Sequence, residues 1–168
     1  MTDVRTDKLY LVGFMGAGKT TVARALGRRL GWRVEDIDER IEARERRTIA
    51  SIFARDGEPH FRQIEREVLA ALLPVRDAVV ATGGGTFAEA DNRAVMLADA
   101  PVAWLDVPFE RLLARLPPDG RRPLAADRFQ LEQLYNRRVI AYRQAHVRID
   151  ASRPVDEIVE RLLEWVGF

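Results

Sequence analysis

Cysteine is absent from this chain, and histidine occurs only twice among its 168 residues. The absence of cysteine excludes disulfide bonds, thiol catalysis and every metal site that needs a thiolate ligand. The two histidines, His60 and His146, are too few and too far apart in the sequence to suggest a histidine metal centre. Any chemistry must therefore come from carboxylates, hydroxyls, lysine, arginine and the backbone.

An excess of charge of either sign is also missing. The chain has 27 basic and 26 acidic residues, which gives a net charge of +1. A dedicated nucleic-acid-binding protein takes much of its affinity from a basic excess that neutralises phosphates. We therefore predict that nucleic acid is not a partner, although local groups of arginines could still bind small anions.

Long hydrophobic runs are the third absence. No stretch approaches the ~20 apolar residues that a membrane-spanning helix needs. The polar segment 1–8 lacks the apolar centre of a signal peptide. We predict a cytoplasmic protein with no membrane association, built as a single domain over residues 1–168. No apolar stripe demands a partner chain, so a monomer is expected.

Short apolar runs alternate with stretches of helical spacing along the chain. The strand candidates are residues 9–12, 34–37, 78–81, 102–106 and 147–149. Helices between successive strands imply parallel pairing, because parallel strands need crossover connections. The pattern predicts an α/β fold of three layers, with a five-stranded parallel sheet between helices. Ligands bind such sheets at the carboxyl ends of the strands, so the chemistry should lie just after the first four strands.

The segment Gly13-Phe-Met-Gly-Ala-Gly-Lys-Thr20, here called the phosphate loop, matches the pattern Gly-x4-Gly-Lys-[Ser/Thr]. Its glycines let successive amides point at one anion, and the helix that follows adds its positive end. Lys19 would neutralise charge between the β- and γ-phosphates, and the Thr20 hydroxyl would bind Mg²⁺. The alternative is a glycine-rich turn with a solvated lysine, but the position between a strand and a helix favours a phosphate site. The small size and the lack of an Asn-Lys-x-Asp guanine motif favour a kinase over a motor or a GTPase.

Two carboxylates, Asp36 and Asp38, follow the second predicted strand. Residues two apart on a strand lie on the same side of it. Kinases use one acidic residue near the metal and another to orient the attacking hydroxyl. The alternative for Asp38 is that it only caps the next helix. Beside a phosphate loop, we predict the metal and hydroxyl roles.

Arginines and glycines suggest that the second substrate carries a carboxylate. Arg62 lies in the first turns of a predicted helix and Arg143 lies late in the chain. Two arginines can hold a carboxylate through charge-assisted hydrogen bonds, although either one alone could be a solvated surface residue. Glu65 lies three residues after Arg62, where it can orient the guanidinium. Glycines 83–85 directly follow the third strand, which favours close approach of the backbone to a ligand.

Taken in order, these motifs resemble the shikimate kinase family over residues 8 to about 160. The matching segments are the phosphate loop, Asp36-x-Asp38-x-x-Ile-Glu42, Ile49-Ala-x-Ile-Phe53, Gly57-Glu-x-x-Phe61-Arg62-x-x-Glu65, Gly83-Gly-Gly, Arg122-Pro-Leu124 and Tyr142-Arg143. The resemblance implies a P-loop kinase with sheet order 2-3-1-4-5, substrate-binding helices at about 38–65 and a lid at about 117–127. The implied reaction transfers the γ-phosphoryl group of ATP to the 3-hydroxyl of shikimate, with Mg²⁺ as cofactor.

The resemblance also implies roles for particular residues. The catalytic residues would be Lys19, Asp38 and the lid residue Arg122, with Arg121 as an alternative in the lid. ATP would be bound by Gly16, Ala17, Gly18, Lys19, Thr20, Thr21, Arg115, Arg122 and Arg153, the adenine lying between Arg115 and Arg153. Shikimate would be bound by Asp38, Arg62, Gly83, Gly84, Gly85 and Arg143, with Phe53 and Phe61 against its ring. Mg²⁺ would be bound by Thr20 and, through water, by Asp36.

The sequence departs from the family at one point and leaves two other functions open. Ile140 stands where many members have a proline two residues before the Tyr-Arg pair. A kinase of another small hydroxy acid, such as gluconate, would share the phosphate loop but need not combine Asp38, Arg62 and the three glycines. A catalytically silent nucleotide-binding module is the other alternative, and the retained Lys19 and Asp38 argue against it.

Overall fold

The computed structural model describes residues 6–115 and 128–168. Strands and helices alternate along most of the chain. The strands are β1 (Lys8–Val12), β2 (Arg33–Asp36), β3 (Ala78–Ala81), β4 (Val102–Asp106) and β5 (Val147–Asp150). The helices are α1 (Lys19–Leu30), α2 (Ile37–Glu45), α3 (Ile49–Asp56), α4 (Glu58–Leu72), α5 (Ala90–Asp99), α6 (Phe109–Arg115), α7 (Arg128–Tyr142) and α8 (Val155–Val166).

All five strands are parallel and lie in the order β2-β3-β1-β4-β5. The predicted α/β fold and its sheet order are therefore confirmed. Every residue of β1 and β3 is buried, which is typical of a parallel sheet covered by helices on both faces. In the described parts of the chain, no helix has both the length and the apolar character that crossing a membrane requires.

The register brings three chemically important segments to one edge of the sheet. Ala81 at the end of β3 pairs with Leu11 on one side and with Asp36 on the other. The chain therefore leaves β1, β2 and β3 at neighbouring points. The phosphate loop, the start of α2 and the glycines after β3 all begin there, at the carboxyl ends of the strands.

The opposite end of β1 is fixed by a buried charge cluster. Lys8, which is fully buried, donates hydrogen bonds of 2.6 Å to the Leu72 carbonyl oxygen and to Asp99 Oδ2. The Tyr10 hydroxyl donates to the same Asp99 oxygen at 2.6 Å, and Arg76 donates to Oδ1 at 2.9 Å. Burial alone would raise the pKa of Asp99, but the hydrogen bonds from Lys8 and Tyr10 outweigh it and lower the pKa. The cluster ties β1 to the ends of α4 and α5.

Candidate active site

The phosphate loop encloses one side of a cavity of about 780 Å³, here called the phosphate-loop cavity. Its lining is Gly16, Gly18, Lys19, Thr20, Thr21, Asp36, Asp38, Glu39, Glu42 and Thr82. Most of the predicted phosphate-binding residues therefore share one cavity, and Ala17 is buried within the same loop. Gly13 has to be a glycine, because φ is +153° and a Cβ there would lie 2.8 Å from the Leu105 carbonyl oxygen.

Positive charge and the N-terminus of a helix face this cavity. Helix α1 begins at Lys19, so the N–H groups of its first turn have no acceptor within the helix. The Lys19 ammonium group donates to the carbonyl oxygens of Gly13 at 2.6 Å and Phe14 at 2.9 Å. A lysine and a helix N-terminus next to a glycine-rich loop form a site suited to phosphate groups.

Two side chains with oxygen atoms that could bind a cation also line this cavity. Thr20 Oγ1 donates a 2.6 Å hydrogen bond to Asp36 Oδ2, and Asp36 Oδ1 accepts from the Glu39 amide at 3.0 Å. Mg²⁺ prefers such oxygen ligands and commonly completes its shell with water and substrate phosphates. Within the described ranges, no group of three or more metal-ligating side chains is present. A hydroxyl and a carboxylate side by side form an oxygen donor pair that fits Mg²⁺.

The helix cap at the start of α2 is Asp36 rather than Asp38. Asp36 has extended backbone geometry, and its side chain accepts from the Glu39 amide, as an N-cap does. Asp38 lies inside the first turn of α2. The capping explanation for Asp38 is therefore wrong, and this carboxylate lines the site instead.

A second cavity of about 450 Å³, here called the arginine cavity, shares Asp38 with the first. Its lining is Met15, Asp38, Ile49, Phe53, Phe61, Arg62, Glu65, Gly83, Gly84, Gly85 and Arg138. The apolar part comes chiefly from Phe53 and Phe61, whose ring centroids are 4.7 Å apart. A few polar groups beside an apolar wall are typical of sites that bind small molecules.

Arg62 is held rigidly in this cavity. It is 8% exposed, and its Nη1 donates to Glu65 Oε1 at 2.9 Å while Nη2 donates to Glu58 Oε1 at 3.2 Å. Burial lowers the pKa of Arg62, but the charges and hydrogen bonds of Glu65 and Glu58 together outweigh it, so the pKa is raised. The guanidinium also lies 5.1 Å from the centre of the Phe61 ring. A charged, fixed guanidinium of this kind is suited to bind a carboxylate.

Glu65 is fully buried behind Arg62 and belongs to a chain of hydrogen bonds. Its Oε2 accepts from the Thr86 hydroxyl at 2.9 Å, and the Thr86 oxygen accepts from the Gly83 amide at 3.0 Å. Burial raises the pKa of Glu65, and the positive charge of Arg62 and the hydrogen bond from Thr86 oppose that rise. The side of the cavity behind Arg62 is thus connected to the glycine loop.

The three consecutive glycines leave room for three different polar groups. A Cβ on Gly83 would lie 2.7 Å from Asp38 Oδ1, and one on Gly85 would lie 2.5 Å from Arg62 Nη2. A Cβ on Gly84 would lie 3.0 Å from Arg138 Nη1. Each glycine therefore lets one side chain approach the backbone, which explains why the sequence has three in a row.

The second arginine of the cavity is Arg138, and this corrects the prediction of Arg143. Arg138 is 6% exposed, lines the cavity and lies 5.8 Å from the centre of the Phe14 ring. Arg143 is exposed and lines a separate groove beside Trp104 and Arg148. Five residues turn an α-helix through about 500°, so side chains at 138 and 143 point in directions about 140° apart.

The sequence did contain a signal for Arg138. Arg138 precedes Tyr142 by four residues on α7, so the two side chains share a face of the helix. The Tyr142 side chain is buried, and its hydroxyl donates to the Gly84 carbonyl oxygen. Arg138, which shares a helix face with Tyr142, was therefore a better candidate for the second arginine of the cavity than Arg143, which only follows Tyr142 in sequence. Burial lowers the pKa of Arg138.

The remaining predicted residues lie near the edges of the site or outside the described chain. Arg115 Nη1 donates to the Gly16 carbonyl oxygen at 3.1 Å, which places Arg115 beside the phosphate loop. Arg153 follows β5 and lies 3.8 Å from Asp150 Oδ2. The predicted lid at 117–127, with Arg121 and Arg122, lies outside the described residues. Met15 and Ile49 also line the arginine cavity, a position that was not predicted for them, because neither side chain carries a charge or a hydrogen-bonding group typical of a binding site.

Comparisons with known proteins agree on one family. The sequence model of the shikimate kinase family matches residues 15–167. The shikimate kinase of Persephonella marina is 39% identical over 160 residues, covering 92% of this chain and 98% of its own length. The shikimate kinase of Synechococcus elongatus is 44% identical over 163 residues, covering 94% of this chain and 85% of its own length. The solved structure of Acinetobacter baumannii shikimate kinase in complex with shikimate has a TM-score of 0.91 at 36% identity, covering 96% of this chain and 93% of that one.

Proposed function

Because the chain belongs to the shikimate kinase family, it is an ATP-dependent kinase that phosphorylates the 3-hydroxyl of shikimate, and we propose that the two cavities described above hold its two substrates. The phosphate-loop cavity would bind ATP and the arginine cavity would bind shikimate. Asp38 carries this proposal, because it lines both cavities. The attacking hydroxyl and the transferring phosphoryl group must meet, and a residue common to both cavities lies where that meeting would occur.

The arginine cavity suits an acceptor that combines a carboxylate with a hydroxylated ring. Arg62 and Arg138 are both buried cations in its wall, and a carboxylate between them could accept charge-assisted hydrogen bonds from both. The rings of Phe53 and Phe61 provide an apolar surface for the carbon ring. Glycines 83–85 bring the loop backbone into the wall of the cavity and leave room there for Asp38, Arg62 and Arg138.

Catalysis would rest on positioning and on charge neutralisation. The Asp38 carboxylate would orient the 3-hydroxyl and accept its proton as the oxygen attacks the γ-phosphorus. The bond between that phosphorus and the bridging β,γ-oxygen then breaks, leaving ADP and shikimate 3-phosphate. Lys19 would neutralise charge that develops on the transferring group.

Other partners of the nucleotide are proposed on the same basis. Bound with ATP, Mg²⁺ supplies charge neutralisation at the phosphate oxygens, and Thr20 and, through water, Asp36 would hold it. We assign the lid role to Arg122 and the adenine contacts to Arg115 and Arg153. The contact between Arg115 and Gly16 supports a nucleotide-binding role for Arg115, because it puts a cation next to the phosphate loop.

The setting we propose is a cytoplasmic monomer. The ATP that serves as phosphoryl donor is abundant in the cytoplasm. The large apolar side chains exposed in the described ranges are few and lie apart, on α5, on α7 and at the C-terminus: Val95, Phe129, Ile140 and Phe168. Light scattering coupled to size-exclusion chromatography should give a mass near 19.1 kDa.

A coupled ADP-release assay with Mg²⁺ and ATP tests the function directly. Shikimate should support turnover, while gluconate, quinate and a reaction without acceptor should not. Turnover with gluconate alone would overturn the acceptor assignment and keep the kinase. ATP binding without turnover on any of these acids would favour the silent nucleotide-binding module.

A further inference from the structure

The Thr86 hydroxyl lies between the two polar ends of the arginine cavity. It donates to Glu65 Oε2 at 2.9 Å and accepts from the Gly83 amide at 3.0 Å. The other Glu65 oxygen accepts from Arg62, and the Gly83 backbone packs against the Asp38 carboxylate. The Thr86 hydroxyl thus connects Glu65, which holds Arg62, to Gly83, which lies against Asp38.

We propose that Thr86 is a positioning residue for the acceptor, in that its hydroxyl fixes Glu65 and Gly83 together and thereby holds Arg62 in register with Asp38. The proposal rests on the assignment of the arginine cavity to shikimate. Thr86 does not line the cavity, so it acts through its two neighbours and not by touching the substrate. The Thr86 backbone makes a further hydrogen bond that does not involve the hydroxyl, in which the Asn92 side-chain amide donates to the Thr86 carbonyl oxygen at 3.1 Å.

The network has a fixed direction of hydrogen donation. Arg62 can only donate, so Glu65 must accept from it, and Thr86 donates to the other Glu65 oxygen while it accepts from the Gly83 amide. This arrangement requires Glu65 to be ionised. A protonated Glu65 would have to donate to Thr86, which would reverse that hydrogen bond and weaken the hold on Arg62.

Several charged groups act on Glu65 from different elements. Arg62 on the same helix lowers its pKa, while burial and the Asp38 carboxylate on α2 raise it. Burial lowers the pKa of Arg138 on α7, and the nearby charge of Glu65 partly opposes that shift. Removing the Thr86 hydroxyl takes away an interaction that lowers the pKa of Glu65. The protonation of Glu65 would then occur at higher pH than in the wild type.

The test compares Thr86→Val, which keeps the shape and removes the hydroxyl, with Thr86→Ser, which keeps the hydroxyl. Loss of one buried, charge-assisted hydrogen bond should raise the KM for shikimate about tenfold in Thr86→Val. The KM for ATP should stay within about twofold of wild type, and Thr86→Ser should stay within about twofold for both substrates. The acid limb of kcat/KM for shikimate should move to higher pH in Thr86→Val alone.

Asn92→Ala is the matched control, because it removes a buried hydrogen bond to the Thr86 backbone and leaves the hydroxyl in place. It should lower Tm without moving the acid limb. If Thr86→Val is too unstable to purify, Thr86→Ala removes the same hydroxyl and should raise the KM for shikimate in the same way.

Three results would overturn the proposal: an unchanged pH profile in Thr86→Val, equal losses for ATP and shikimate, or a Thr86→Ser variant as impaired as Thr86→Val. Turnover of shikimate by the wild-type protein separates the test of the Thr86 positioning role from the test of the assigned function. A wild type that fails to phosphorylate shikimate would reject the assigned function, whereas an active wild type with unaffected Thr86 variants would reject only the positioning role.

Discussion

Arg62 and Arg138 approach adjacent glycines of one loop from two different helices. A Cβ on Gly85 would lie 2.5 Å from Arg62 Nη2, and one on Gly84 would lie 3.0 Å from Arg138 Nη1. Burial is the main reason why the pKa of Arg138 is lowered, and the positive charge of Arg62 adds to the effect. Two buried cations in one wall repel each other, so an anionic ligand between them relieves an unfavourable interaction.

Replacing Arg138 should therefore damage acceptor binding. Arg138→Ala removes one of the two cations, and loss of a charge-assisted hydrogen bond of about 1.5–3 kcal/mol predicts a KM for shikimate raised by about 10- to 150-fold. Arg143→Ala is the control, because Arg143 is exposed and lines a different groove. Steady-state kinetics with varied shikimate measures the KM of both variants. A large effect of Arg143→Ala with none of Arg138→Ala would restore the original assignment.

Asp38 should act on turnover more than on nucleotide binding. Asp38→Asn keeps the shape and removes the base, and loss of a positioned base predicts a kcat lowered by at least about 100-fold. The affinity for ATP, measured by calorimetry, should be little changed. Asp91→Asn, an exposed substitution on α5, is the control for loss of one negative charge. A variant Asp38→Asn with near-normal kcat would remove Asp38 from the catalytic role.

A methyl group on Gly85 should interfere with Arg62. Gly85→Ala places a Cβ 2.5 Å from the guanidinium, so Arg62 has to shift away from its place beside Glu65. We expect the KM for shikimate to rise by about tenfold, which corresponds to one disturbed charge-assisted hydrogen bond. Gly31→Ala is the contrasting control, because its cost of about 1 kcal/mol comes from φ of +68° with nothing within 4 Å. It should lower Tm and leave both KM values unchanged.

The Lys8 cluster predicts an effect on stability alone. Lys8→Met leaves Asp99 without its buried ammonium partner, and we expect the free energy of unfolding to fall by about 3 kcal/mol. Urea denaturation measures this change. Arg29→Ala, which breaks the exposed pair with Glu160, is the control and should have no measurable effect. Kinetic constants should not change in either variant, since Lys8 lies at the end of β1 remote from the phosphate loop.

The same cluster predicts the acid dependence of stability. The pKa of Asp99 is lowered in the folded protein, so its stabilising contribution is fully present above the ordinary carboxyl pKa of about 3.9. That contribution is lost as the pH falls below this value, because the unfolded chain then binds the proton more readily. Lys8→Met should show a smaller loss between neutral and acid pH than wild type. Equal slopes in the two proteins would contradict the coupling.

Much of the fold followed from local patterns. The strands alternate with helices, and each glycine-rich segment directly follows a strand, so the parallel sheet and the meeting of the phosphate loop with Asp38 could be predicted. The sheet order came from the family resemblance and is confirmed.

The error at Arg143 shows what local patterns leave out. A motif identifies residues that are neighbours in sequence, whereas a helix turns about 100° between neighbours and so points them at different surroundings. Tyr142 faces the glycine loop and Arg143 faces away from it. The Glu65–Thr86 hydrogen bond could not be predicted either, because it joins a helix to a loop after a strand and depends on tertiary packing.

The arginine cavity is assembled from distant parts of the chain, since α2, α3, α4 and the loop after β3 supply one part and α7 supplies Arg138. Tyr142 joins the two parts through the Gly84 carbonyl oxygen. A molecule bound between Arg62 and Arg138 therefore fastens α7 to the rest of the domain. Any local opening that releases α7 must also release the acceptor, so acceptor binding should slow amide hydrogen exchange along α7 more than along α8.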